Sequence, residues 1–159
     1  MMRRPEPHPR GRSPEGGVPS VGHGSRVTGR LHVIATPIGN LEDLSARAAR
    51  LLGEVDLILA EDTRQVRKLL NHLGLSTPTR SLHEHNEAAS VPRLLAELQT
   101  GKAHALVSDA GTPLLSDPGF HLVRACREHG IQVLAVPGPS SVTAALSVAG
   151  LEPYPFTFC

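Results

Sequence analysis

Five short segments concentrate residues able to do chemistry: TPIGNL (36–41), EDTR (61–64), HEHN (83–86), SDAGTPLLSDPG (108–119) and PGPSS (137–141). In SDAGTP, Gly111 and Pro113 stand where main chain must approach a ligand closely, and Asp109, Thr112 and Ser116 add hydrogen-bonding groups without bulk. PGPSS leads into a helical pattern, so backbone N–H groups and the hydroxyls of Ser140 and Ser141 point out of a helix N-terminus. That arrangement suits a carboxylate or another anion. Any one of these segments is explained by turn chemistry: Gly for positive φ, Pro for fixed φ, Asp or Ser for a helix cap. All of them on one edge of a sheet suggest a main-chain-lined cradle for a small polar zwitterion carrying a nucleoside.

The same loops exclude several sites. GxGxxG is absent after the first strand, where TPIGN stands, and neither GxxxxGK[ST] nor GxSxG occurs. His83 and His85 flank Glu84, but a metal would need a third ligand nearby. A loop bonding its own backbone or a polar substrate is the simpler reading, and no metal is expected.

Short apolar strands that do not alternate are predicted over 31–36, 56–60, 79–82, 104–108 and 132–136. Between them, helical spacing predicts helices over 43–55, 63–74, 89–101 (with Pro92 in its first turn), 121–130 and 140–150. Apolar strands alternating with helices specify an α/β fold: a five-stranded, mostly parallel sheet with helices on both faces. Such sheets bind ligands outside the carboxyl ends of their strands, where the five segments fall.

Composition narrows the function further. Of 159 residues, 40% are apolar and 3% aromatic, with no Trp, so the core is aliphatic and stacking platforms for single-stranded nucleic acid are lacking. No apolar run of membrane-spanning length occurs. Two cysteines, Cys126 and Cys159, make no disulfide framework, and a reducing cytoplasm is the default. Six of the 16 basic residues are arginines within residues 1–30, opposed there by two Glu, whereas residues 31–159 are mildly acidic. Residues 1–29, rich in Pro and Gly, read as a disordered basic tail; 30–150 read as the folded domain, and 151–159 as the start of an interdomain linker.

ATPIGNL (35–41), AEDTR (60–64), LLNHLG (69–74), HEHNE (83–87), ALVSDAGTPLLSDPG (105–119) and VPGPSSVTAAL (136–146) closely resemble the ribosomal RNA small-subunit methyltransferase I family, within the tetrapyrrole-methylase-like group. The resemblance covers about residues 31–159. It implies two α/β domains holding S-adenosylmethionine (SAM) in the cleft between them. It also implies methyl transfer to the ribose 2′-hydroxyl of a cytidine in small-subunit (16S) ribosomal RNA, with the small subunit as partner, a homodimer and a cytoplasmic location. By similarity the SAM-contacting positions are Pro37, Gly111, Thr112, Pro113, Ser116, Ser140, Ser141 and Val142. Tetrapyrrole methylases read Gly-Asp-Pro where this chain has Gly111-Thr112-Pro113, so Asp109 becomes the substitute carboxylate. Candidates for proton acceptance or ribose orientation are Glu61, Asp62, His83, His85 and Asn86, with Asp62 alternatively a helix cap; Arg64, Arg67 and Lys68 are candidates for RNA phosphate. Family members continue into a second domain through a segment like FTFxGFLP, and this sequence ends within it at Phe156–Cys159. The alternatives are a methyltransferase acting on a tetrapyrrole or another small acceptor, and a catalytically incomplete half.

Overall fold

The computed structural model describes residues 29–158; the basic tail expected over 1–29 lies outside that range except for Gly29. Five strands form the sheet: β1 (Arg30–Ile34), β2 (Leu57–Ala60), β3 (Thr79–Ser81), β4 (Ala103–Val107) and β5 (Gln132–Val136). Their order is β3-β2-β4-β1-β5 and every pairing is parallel, beyond the mostly parallel sheet expected. Five helices connect or follow them: α1 (Ala46–Glu54), α2 (Thr63–His72), α3 (Glu84–Gln99), α4 (Phe120–Glu128) and α5 (Ser141–Val148).

Two cores sandwich the sheet. Ile34, Ile58, Ala60, Ala105 and Val107 face α1 and α2, while Leu31, Leu57, Leu59 and Leu106 face α3 and α4. Leu52, Leu94, Leu98 and Leu122, one or more from three of the helices, are completely buried, as the helical spacing requires. The chain leaving β1 crosses one face through α1, and the chain leaving β4 crosses the other through α4. The connections therefore diverge between these adjacent strands, opening a crevice at their carboxyl ends.

Three local expectations need correction. The helix read as starting at residue 43 starts at Ala46, after a separate 3-10 turn over Leu41–Asp43. Two caps cause the break: Asn40 Oδ1 accepts from the Glu42 N–H, and Ser45 Oγ accepts from the Ala48 N–H. The HEHN segment is not a loop, because α3 begins at Glu84 with His83 as its cap position. Asn86 Oδ1 reaches back to the His83 N–H at 2.9 Å and starts the helix a turn and more before residue 89. Pro92 consequently lies inside α3, not in its first turn, and costs that helix one backbone hydrogen bond.

Glu87 contributes in a way the spacing did not reveal. It is buried, and its Oε1 accepts from the Leu122 N–H at 3.0 Å, capping α4 from a neighbouring helix. The cap position of α4 is Gly119, which has no side chain to do so. Glu87→Ala leaves that N–H unsatisfied and should cost about 1–3 kcal/mol in urea unfolding. Glu87→Gln keeps an accepting oxygen and should recover a substantial part of the loss.

Candidate functional site

At the carboxyl edge, hydrogen bonds link the loops of all five strands in sequence. Ser81 Oγ donates to the Glu61 carbonyl at 3.1 Å, joining the β3 and β2 ends. The Asp62 N–H donates to Asp109 Oδ1 at 3.2 Å, joining β2 to β4. Thr36 and Gly111 exchange both main-chain hydrogen bonds, at 2.9 and 3.0 Å, across the crevice between β1 and β4. Thr112 Oγ1 donates to the Pro139 carbonyl at 3.1 Å, joining β4 to β5. Buried Ser108 supports the crossing, accepting from Thr36 Oγ1 at its carbonyl and donating its own hydroxyl to the Gly111 carbonyl at 3.0 Å. The result is a continuous rim.

Two hollows flank the Thr36–Gly111 crossing. One, of about 90 Å³, is lined by Gly111, Thr112, Ser140, Ser141 and Val142, with Asp117 and Phe158 beside them. Five expected cofactor residues from two distant loops thus share one concavity. Ser140 caps α5 by position only: its side chain makes no cap hydrogen bond, so the first N–H groups of α5 keep their donors for a ligand. The other hollow, about 260 Å³, lies between the β1 loop and α2 and is lined by Pro37, Gln65, Lys68, Ser108 and Asp109. Pro37 and Asp109 are therefore separated from the main cofactor group. Pro113 is buried and Ser116 is exposed, both outside the two hollows. Leu114 and Ser116 hold φ values of 77° and 66°. Two non-glycine residues in the left-handed region within one loop store backbone strain, as loops shaped for a ligand do.

The expected proton acceptors are distributed differently. The Asp62 carboxylate caps α2 through the Arg64 N–H at 2.8 Å and grips the Arg64 guanidinium at 2.7 Å. The side-chain hydrogen bond from Arg64 is the largest cause holding its pKa down at about 2, from 3.8. A depressed carboxyl stabilises the fold above its unfolded pKa and loses that contribution as pH falls. Asp62→Asn should therefore flatten the stability profile between pH 3.8 and about 2, measured by chemical unfolding across that window. Arg64 and Asn86 are similarly occupied, the latter also donating to the Ser81 carbonyl at 3.2 Å. His83 and His85 pack edge to face at 5.9 Å, and neither lines the hollows. Glu61 remains exposed beside the β4 loop. Arg67 turns to another groove beside Thr77 and Thr79, leaving Lys68 as the basic candidate at the larger hollow.

Asp117 was not singled out by the sequence. It belongs to the SDPG turn, where Asp is readily assigned to turn formation. In the fold it lines the smaller hollow, and burial first, then Glu61 and Asp109, push its carboxyl pKa up. Gln65 was missed as an ordinary exposed helix residue; α2 carries it to the larger hollow.

Comparison with known proteins decides the family. Residues 30–157 match the tetrapyrrole (corrin/porphyrin) methylases. The chain belongs to this family. Among relatives of the tetrapyrrole methylase domain, the ribosomal RNA small subunit methyltransferase I of Xylella fastidiosa strain Temecula1 is 58% identical over 130 residues, covering 82% of this chain and 48% of that protein. The protein of the same name from Escherichia coli O157:H7 is 55% identical over 123 residues, 77% of this chain and 43% of its own length. The chain spans about half the length of the curated relatives it matches. A crystal structure of uroporphyrin-III C-methyltransferase from Thermus thermophilus shares 25% identity with a TM-score of 0.58, covering 78% of this chain and 54% of that one. A cobalamin-synthesis-related protein from Corynebacterium diphtheriae, 20% identical with a TM-score of 0.59 over 79% of this chain and 60% of that one, shares the fold.

Proposed function

We propose that this tetrapyrrole methylase domain is the cofactor-binding lobe, over residues 30–150, of a SAM-dependent methyltransferase. Its acceptor is the ribose 2′-hydroxyl of a cytidine in small-subunit ribosomal RNA. The observation that carries the reading is the shared hollow of Gly111–Thr112 and Ser140–Val142 beneath the linked rim. The names of relatives more than half identical in sequence support the choice of RNA over a tetrapyrrole acceptor.

The residues fit the proposed cofactor chemically. Uncapped N–H groups at the start of α5 and the hydroxyls of Ser140 and Ser141 suit its amino-acid carboxylate. Gly111, with φ +84°, lets the main chain turn tightly at the edge of the hollow. At about 90 Å³ the hollow seats one end of such a molecule, leaving the rest open toward the other side of the crevice. When bound, SAM supplies an electrophilic methyl group on a sulfonium. The chain's own contribution is positioning: the rim fixes where the acceptor oxygen can approach, and holding it at roughly 3–3.5 Å in line supplies several kcal/mol. Proton acceptance falls to two neighbouring carboxylates, Glu61 at the end of β2 and Asp117 on the β4 loop. Asp62 and Asn86, whose polar atoms are already committed, act as positioning residues. The larger hollow beside Lys68 is the acceptor side.

The small subunit, a homodimer and the cytoplasm as the place of action complete the reading. No helix among the described residues is long and apolar enough to cross a membrane. The test supplies the protein that carries this lobe with radiolabelled SAM and unmethylated small ribosomal subunits, then digests the RNA to nucleosides. Label in 2′-O-methylcytidine is expected. Label in an added tetrapyrrole instead, or no transfer to either, would overturn the assignment.

A further inference from the structure

A second concave surface lies on the α1 face, away from both hollows. Arg30 and His32 on β1 share it with Arg47, Arg50 and Glu54 on α1, around a space of about 360 Å³. His32 is 7% exposed, and its Nδ1 finds no hydrogen-bond partner among the described residues. Arg50 is committed to Glu54, holding both carboxylate oxygens at 2.8 and 2.9 Å. Arg47 makes one long contact, 3.5 Å to the Ala135 carbonyl, and Arg30 has no ion-pair partner among the described residues. Three guanidiniums thus face one carboxylate, a local excess of positive charge in a segment (30–159) where acidic residues outnumber basic ones. Burial, followed by Arg30 and Arg47, lowers the His32 pKa, which leaves the imidazole neutral and able to donate one N–H.

We propose that this groove binds phosphate groups of the RNA backbone, with Arg30 and Arg47 as the principal contacts and His32 as a donor from its floor. The inference rests on the function proposed above and adds where the RNA runs. Shape favours a polymer over a free ion. Arg47, near the start of α1, sits beside the carboxyl end of β5, close to the rim, whereas Arg30 opens β1 at the other edge of the sheet. Ala135 pairs with Val33, three residues along β1 from Arg30, a rise of roughly 10 Å, so the two arginines mark a track leading away from the site. An acceptor nucleotide at the rim would continue its backbone along this track.

The test measures binding of a fluorescein-labelled single-stranded RNA oligonucleotide to the chain over a range of salt concentrations. Arg30→Gln with Arg47→Gln should weaken binding about tenfold and reduce the slope of log affinity against log salt by roughly 1–2, as expected when two phosphate contacts are lost. Arg124→Gln with Arg127→Gln, on the opposite face, should change the slope much less. An unchanged slope in the first pair, or equal loss in the control pair, would overturn the groove. A parallel titration with inorganic phosphate, followed by the His32 ring signals in NMR, separates the sources. Phosphate shifting His32 while RNA affinity ignores Arg30 and Arg47 would assign a free-anion site and overturn the backbone contact. RNA bound through the groove with no methyl transfer would sink the proposed function and leave the groove standing. Transfer with an unaltered slope would do the reverse.

Discussion

Gly119→Ala is expected to destabilise the domain by about 3 kcal/mol, combining left-handed backbone strain with overpacking. Gly119 holds φ at 121°, a conformation that an L side chain rarely adopts. A Cβ there would stand 2.5 Å from Leu106 Cδ2 and 3.0 Å from Leu114 Cδ2. Leu106 is 1% exposed in the middle of β4, packed with Leu59 and Leu122, so its methyl has no free space to move into. Leu114 already carries a positive φ, and further displacement would pass along the SDAGTPLLSDPG loop to the rim. Thermal unfolding should show a midpoint lowered by roughly 6–12 °C for a domain of this size. A midpoint within a degree of the unmodified chain would mean that the loop relaxes freely and that the contact with the core is not rigid.

Gly111→Ala should have the second large effect, on ligand affinity more than on stability. Gly111 has φ +84°, and a Cβ would lie 3.3 Å from Ile38 Cγ2 and 3.7 Å from the Pro139 carbonyl oxygen. The methyl would press on Ile38 of the β1 loop and impose a strained positive φ, at the residue that exchanges two hydrogen bonds with Thr36. Titration calorimetry with SAM should register at least a tenfold loss of affinity, about 1.4 kcal/mol. Thr112→Val, which removes the donor to the Pro139 carbonyl, should weaken binding in the same direction, and Thr112→Ser should preserve it. Unchanged affinity in Gly111→Ala would place the cofactor away from this hollow.

Much of the fold was legible because the apolar strands and helical spacings agree with each other and with the glycines that stop the helices. The strand-end position of the loops followed from the parallel sheet alone. The details that were not legible come from competition between neighbouring residues. Asn40 and Ser45 both cap, so the expected first helix broke into a turn and a helix. Asn86 looked like a polar site residue, but its carboxamide closes the first turn of α3. At the site, spacing could group Gly111 with Thr112, and Ser140 with Ser141. Only tertiary packing could bring the two pairs into one concavity and place Pro37 and Asp109 in another. Asp117 escaped notice because a turn aspartate and a half-buried one look identical in sequence, and burial appears only once the loop folds back over the hollow.

The rim's central crossing is made by peptide groups, and its outer links also use carbonyl oxygens or N–H groups on at least one side. Peptide groups are common to every residue type, so the central crossing does not depend on which side chains project from it, whereas the outer links require the side chains of Ser81, Asp109 and Thr112. Lineages can therefore exchange the groups that face the acceptor while keeping the scaffold intact. An architecture of this sort lends itself to diversification across chemically unrelated acceptors, from macrocycles to polynucleotides, without the foundation being rebuilt each time.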